Sequence, residues 1–286
     1  VRLTTIDVRA VVYNSYMNIH YVTSAAAVVL LVAAFSGANP PPTHLHWIVS
    51  ESSGHRLESA MPPGAYQAKL DNPNTFEIMN EPKRPDPLPN AKHVKFYRDE
   101  ALLESELASG ELAKYDGALL DDEAYREPGN TTPQVQMADP VIYFARASRA
   151  LHAANKILVA TIGFKVGAPG QFWSRTLAAV APYPDVLDFQ TQAAEGTPRF
   201  ASMVQRLSRV FRSSGGHIMT VGLAISPKGE SKTYEDLLQS YRAALELRPP
   251  VDGFWMNIAT KSKSCTGCVS HPDVQPAAQL LMNTSE

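Results

Sequence analysis

Asp116-Gly117-Ala118-Leu119-Leu120-Asp121-Asp122-Glu123 is an apolar segment that ends in three consecutive carboxylates. It reads as a barrel strand met at its catalytic end. In extended backbone alternate side chains share a face, so Asp121 and Glu123 point one way with Leu119, and Asp122 points the other way with Ala118 and Leu120. Two acids on one face repel each other. That raises the proton affinity of one of them and fits it to act as a general acid near neutral pH. The competing reading is a helix N-terminus, where carboxylates favour the dipole and cap free N–H groups. A turn at Pro128-Gly129 separates the run from the next helical stretch, which starts near Asp139-Pro140.

Outward from this segment the chain is rhythmic. Short apolar strands are expected at His46 to Ser50, Thr75 to Met79, His93 to Tyr97, Tyr115 to Asp121, Ile157 to Ile162, Val186 to Thr191, His217 to Ala224 and Gly253 to Ile258. Between the later ones, apolar residues at spacings of three and four predict helices over Val141 to Asn155, Phe172 to Val180, Arg199 to Arg212 and Tyr234 to Leu247. Alternation of this kind implies parallel strands joined by right-handed crossovers. Eight such units close into a (β/α)8 TIM barrel, expected over residues 39–286 as one domain. The first half is less regular, and prolines at Pro62-Pro63 and from Pro82 to Pro89 leave little room for a second helix. A doubly wound open sheet competes, but no glycine-rich phosphate loop follows the first strand.

At 286 residues and 44% apolar content the chain is long enough to bury such a core. The formal charge of −2, with no basic cluster interleaved with aromatics, argues against a nucleic-acid partner. Ala25 to Phe35 is an apolar run too short to span a bilayer comfortably, followed by Ser36-Gly37-Ala38 and a proline run. Residues 1–38 therefore read as a signal peptide cleaved after Ala38, with Met17 a candidate start, or as an N-terminal anchor. Either makes the protein secreted or cell-envelope associated, and it is expected to act as a monomer.

A barrel places its chemistry at the carboxyl ends of the strands. Strand four supplies Asp121, Asp122 and Glu123. Strand six puts Asp188, Gln190 and Gln192 on one face with Leu187 and Phe189 opposite; because the outer helices need apolar partners, the polar face is expected to look into the barrel. Strand eight sends either Trp255 and Asn257 or Phe254 and Met256 inward, and the first pair is the better choice. Glu51, just after strand one, is another acid at the mouth. An aromatic floor with amide and carboxyl groups suits a carbohydrate, whose ring face packs on an aromatic and whose hydroxyls need donors and acceptors. Ordinary core packing accounts equally for Trp255, and strand-end capping for the glutamines.

The fourth-strand sequence resembles the D-G-x-D-x-D-x-E signature of family 18 chitinases and endo-β-N-acetylglucosaminidases. Asp116, Gly117, Asp121 and Glu123 occupy four of its five fixed positions, and Leu119 replaces the remaining aspartate. The resemblance implies that Glu123 protonates the glycosidic oxygen and that Asp121 orients the substrate's N-acetyl group, whose carbonyl attacks the anomeric carbon. A tryptophan that floors the sugar site from strand eight resembles Trp255. Strand six departs from the family pattern: where a tyrosine usually holds the N-acetyl oxygen, this chain offers Gln190, Thr191 and Gln192. Most of the chain after about residue 110 is also similar to a group of secreted bacterial barrel proteins. The shared features are the acidic fourth strand, Asp188 to Gln192, the G-F-W-x-N-I run from Gly253 to Ile258, and C-x-x-C at Cys265 and Cys268. Asn80-Glu81-Pro82 resembles the N-E-P acid/base signature of retaining cellulase-like barrels, but here it follows strand two, and strand seven carries no acid.

In an exported protein Cys265 and Cys268 read as a local disulfide after strand eight. A zinc site would find only these two and His271 in range, one ligand short. No metal or cofactor is therefore expected, and three functions stay open. One is a glycoside hydrolase with Glu123 as acid and Asp121 or Asp122 as its partner. Another is a carbohydrate-binding barrel that has lost the chemistry. The third is a metal-assisted hydrolase using the Asp121-Asp122-Glu123 cluster.

Overall fold

The computed structural model describes residues 45–79, 88–97, 100–120, 140–163, 177–191, 194–225, 232–258 and 274–284. Pro40–Glu286 form one compact unit, while Val1–Asn39, with the expected signal segment, lie outside the described residues. Eight parallel strands close on themselves in sequence order: β1 (His46–Ser50), β2 (Thr75–Met79), β3 (Lys92–Tyr97), β4 (Gly117–Leu120), β5 (Ile157–Gly163), β6 (Val186–Gln190), β7 (Ile218–Ile225) and β8 (Gly253–Ile258).

The period of two sorts each strand between two apolar layers. Ile48, Phe76, Ile78, Val94, Leu119, Val159, Val186 and Trp255 fill the barrel interior. Their neighbours, among them Trp47, Leu120, Leu158, Leu187, Phe189, Val221, Phe254 and Met256, face the surrounding helices. Burial on both faces explains why the strands read as nearly continuous apolar runs.

The helices are α1 (Glu51–Ala60), α2 (Ala65–Leu70), α3 (Glu100–Ser109), α4 (Pro140–Ala153), α5 (Arg199–Ser213), α6 (Tyr234–Leu245) and α7 (Gln275–Asn283). Residues 177–180 are also helical, inside the stretch expected from Phe172; residues 172–176 lie outside the described residues. Four helices, α1 to α3 and α7, were not anticipated. α1 starts directly at the end of β1 because Ser50 caps it, its hydroxyl accepting from Ser53 N at 3.3 Å. α4 stops short of Asn155, which adopts φ +54° while Lys156 N bonds back to Leu151 O at 2.9 Å; this left-handed C-terminal turn redirects the chain into β5.

One device recurs at the strand entrances. Asp116, immediately before β4, donates its N–H to His93 O and accepts the His93 N–H on its carboxylate at 2.7 Å. Asp185, before β6, does the same with Leu158 (2.7 Å), and Asp252, before β8, with Met219 (2.6 Å). Each aspartate thus satisfies both backbone groups at the start of the preceding strand. Gly117 and Gly253 follow two of them because the strands approach closely there: an added Cβ would lie 2.1 Å from Ile157 O and 2.0 Å from His46 O respectively.

Candidate active site at the barrel mouth

The parallel strands present their carboxyl ends on one face, and there β6 turns Asp188 and Gln190 inward in step with Val186 of the interior. Thr161 on β5, Asp188 on β6 and Thr220 on β7 are register partners and all three are fully buried. Thr220 Oγ1 donates to Asp188 Oδ1 at 2.8 Å. A step nearer the mouth, Gln190 is half-buried and its Nε2 lies 3.4 Å from Thr161 Oγ1. Its partner on β5 is Gly163, and the inward residue on β7 beside Trp255 is Gly222. Neither glycine has a side chain, so at that level β7 places nothing between the Gln190 amide and the Trp255 indole.

Trp255 takes the inward parity expected for it. It is 7% exposed, and its Nε1–H has no hydrogen-bond acceptor among the described residues. An indole N–H is a donor only, and burying it unpaired costs about 1–3 kcal/mol. Phe96 on β3 is a further inward aromatic, half-buried against the interior cluster.

Glu51 is the first residue of α1, buried at the mouth end of β1, where the helix N-terminus favours its negative charge. Asn257 belongs to β8 and pairs with Ala224, but its side chain lies outside the described residues. Asp121, Asp122, Glu123 and Gln192 also lie outside them, as do Asn80-Glu81-Pro82, Cys265 and Cys268. Among the described residues no group of three or more His, Cys, Asp or Glu side chains is placed to hold a metal ion.

Sequence reasoning missed Thr161 and Thr220, which look like ordinary strand formers; their parity with Asp188 was the available signal. It also missed Glu195, fully buried in the loop after β6, whose carbonyl accepts from Lys232 Nζ at 3.2 Å.

A separate polar cluster sits on the outer side of the wall and fastens α3 to β3. Lys95 Nζ lies 2.6 and 2.7 Å from the two Glu106 carboxylate oxygens, and Tyr97 OH donates to Glu106 Oε2 at 2.6 Å. Burial pushes the Glu106 carboxyl up, but the hydrogen bonds from Lys95 and Tyr97 and the nearby lysine charges outweigh it and hold the group below the ordinary glutamate range. Burial and the Glu106 carboxylate push the Tyr97 hydroxyl far up, so it stays a donor.

No family model matches the chain, and no curated protein matches it. Among solved structures it is similar to the C-terminal domain of a candidate chitinase from Desulfitobacterium hafniense, at 12% identity and TM-score 0.40 over 63% of this chain and 66% of that one. The carboxyl transferase domain of Rhizobium etli pyruvate carboxylase aligns at 11% identity and TM-score 0.47, over 84% of this chain and 46% of that one. The spore cortex-lytic enzyme of Bacillus megaterium aligns at 10% and 0.44, over 85% and 75%. The chain spans less than two thirds of the first two. The likeness is one of barrel architecture.

Proposed function

We propose that the protein is a glycoside hydrolase-like barrel acting on a polysaccharide or cell-wall glycan, with Glu123 as general acid and Asp121 or Asp122 as its partner. The observation that carries this is the mouth wall: an inward tryptophan on β8 whose N–H meets no acceptor among the described residues, a glutamine amide two strands away on β6, and a buried aspartate held by threonine. Such a surface offers a ring face for stacking and donors for hydroxyls. Leu119, two residues before Asp121, faces the barrel interior, and this supports the reading. Export through residues 1–38, cell-envelope association, a monomeric state and a Cys265–Cys268 disulfide belong to the same proposal.

A second reading, a carbohydrate-binding barrel without turnover, is favoured by Leu119, which is packed among apolar side chains where the family signature has an acid.

The test is reducing-end release from a panel of bacterial and fungal cell-wall polysaccharides, with and without EDTA, beside Glu123→Gln. Release that survives EDTA and disappears in the variant supports the hydrolase. Binding without release supports the second reading. Release abolished by EDTA transfers the chemistry to a metal on the Asp121-Asp122-Glu123 cluster.

A further inference from the structure

α5 carries four arginines, Arg199, Arg206, Arg209 and Arg212, and no acidic residue, in a chain whose net charge is −2. Its apolar residues Phe200, Met203, Val204, Leu207 and Phe211 are buried against the barrel wall. Arg212 is used internally: it pairs with Asp252 and donates to His217 O. Arg199, Arg206 and Arg209 stand exposed on the outer side, along about 15 Å of helix axis. The neighbouring loop extends the row. Gln205 Nε2 donates to Arg248 O at 2.9 Å and Gln205 Oε1 accepts from Arg248 N at 3.3 Å. This holds exposed Arg248, whose Nη1 donates to Glu246 O at 3.1 Å and Leu247 O at 2.8 Å, against the turn of α5 that leads to Arg209, four residues on. On α6, which packs beside α5, Arg242 is exposed and Asp236 is occupied in the capping box with Thr233, so Glu235 and Glu246 are the exposed carboxylates there.

We propose that this face of α5, together with Arg248, docks a linear acidic polysaccharide. A row of guanidinium groups matches repeated carboxylate or phosphate groups, each able to take a two-pronged hydrogen bond. Every large apolar side chain of α5 is at least partly packed on the barrel, so the helix has none to insert into lipid, and a row rather than a plane of charge fits a chain better than a membrane. The inference rests on the glycan reading of the mouth and extends it to a class of glycan.

The test titrates the purified protein with polygalacturonate, a linear polycarboxylate, beside neutral dextran. Binding to polygalacturonate is expected to weaken about 10-fold between about 50 and about 300 mM salt. The charge-reversed R199E/R206E/R209E should lose at least about 10-fold, and R199K/R206K/R209K should keep most of the affinity. If the reversed protein does not melt like the parent, R199Q/R209Q takes its place with the same expectation. Equal binding of parent and variant, equal binding to dextran, or preference for phosphatidylglycerol-containing vesicles over the polymer would overturn the proposal. Turnover of short neutral oligosaccharides is read separately. Lost polymer binding with unchanged turnover upholds both readings; polymer binding in a protein with no turnover removes only the hydrolase.

Discussion

The Asp116 carboxylate lies 2.7 Å from the backbone nitrogen of His93 and ties the entrance of β4 to that of β3. Gly117, next to it, is demanded by the approach of Ile157. Two of the four residues that match the chitinase-like signature therefore have a structural cause at the rim opposite the mouth. Asp116→Ala should lower stability by about 0.5–1.5 kcal/mol in a denaturant titration while turnover per folded molecule is unchanged. Asp116→Asn, which keeps an acceptor, should do less. Loss of turnover in Asp116→Asn would show that the residue acts in catalysis after all.

Leu119 is fully buried among Ile48, Phe76, Val94 and Val159. Placing there the aspartate of the chitinase-like signature, Leu119→Asp, should cost at least about 3 kcal/mol, because it would set a carboxylate among the apolar side chains of the interior cluster. Low soluble yield or a melting temperature depressed by many degrees is the expected readout. A variant that folds like the parent would mean that water reaches this layer.

For Trp255 the ring and the N–H can be separated. Trp255→Phe keeps an aromatic face and removes the unpaired donor, so stability should hold or rise slightly, whereas glycan affinity should fall about 10-fold if the N–H meets a ligand oxygen. Trp255→Ala should lose stability by about 3–5 kcal/mol through the cavity it leaves. Calorimetric titration beside thermal melts distinguishes these outcomes. Unchanged affinity in Trp255→Phe assigns the residue to the core alone.

The Lys95–Glu106–Tyr97 cluster predicts an acid-side sensitivity. Because the folded-state pKa of Glu106 is lowered, its stabilisation is present above the unfolded glutamate value of about 4.3 and is lost as pH falls through the lower folded value. Glu106→Gln should be less stable by about 1–3 kcal/mol at neutral pH, with a shallower loss of stability below about pH 4. Parallel stability-versus-pH curves for parent and variant would contradict this.

Most strands were legible because burial on both faces leaves an apolar run, and the inward side of β6 was legible because its other face, Leu187 and Phe189, is the apolar one that the helices cover. α1 was hidden by Gly54 and a polar run, although Ser50 gave its start, and α2 follows Pro62-Pro63. α3 has apolar residues on several sides and no clean stripe, which is why Leu102 is left exposed. In the site, Asp188, Gln190 and Trp255 could be found by parity. Thr161 and Thr220 were passed over as strand formers although they share the parity of Asp188, and Glu195 lies beyond the strand end where parity stops.

The paired backbone closures made by Asp116, Asp185 and Asp252 sit at strand entrances, a full strand length from the mouth. The scaffold is therefore modular along its own axis. A lineage, or a library randomised at positions 121–123 and 190, leaves these entrance closures untouched, so new chemistry on this barrel starts from a wall whose entrances are already tied.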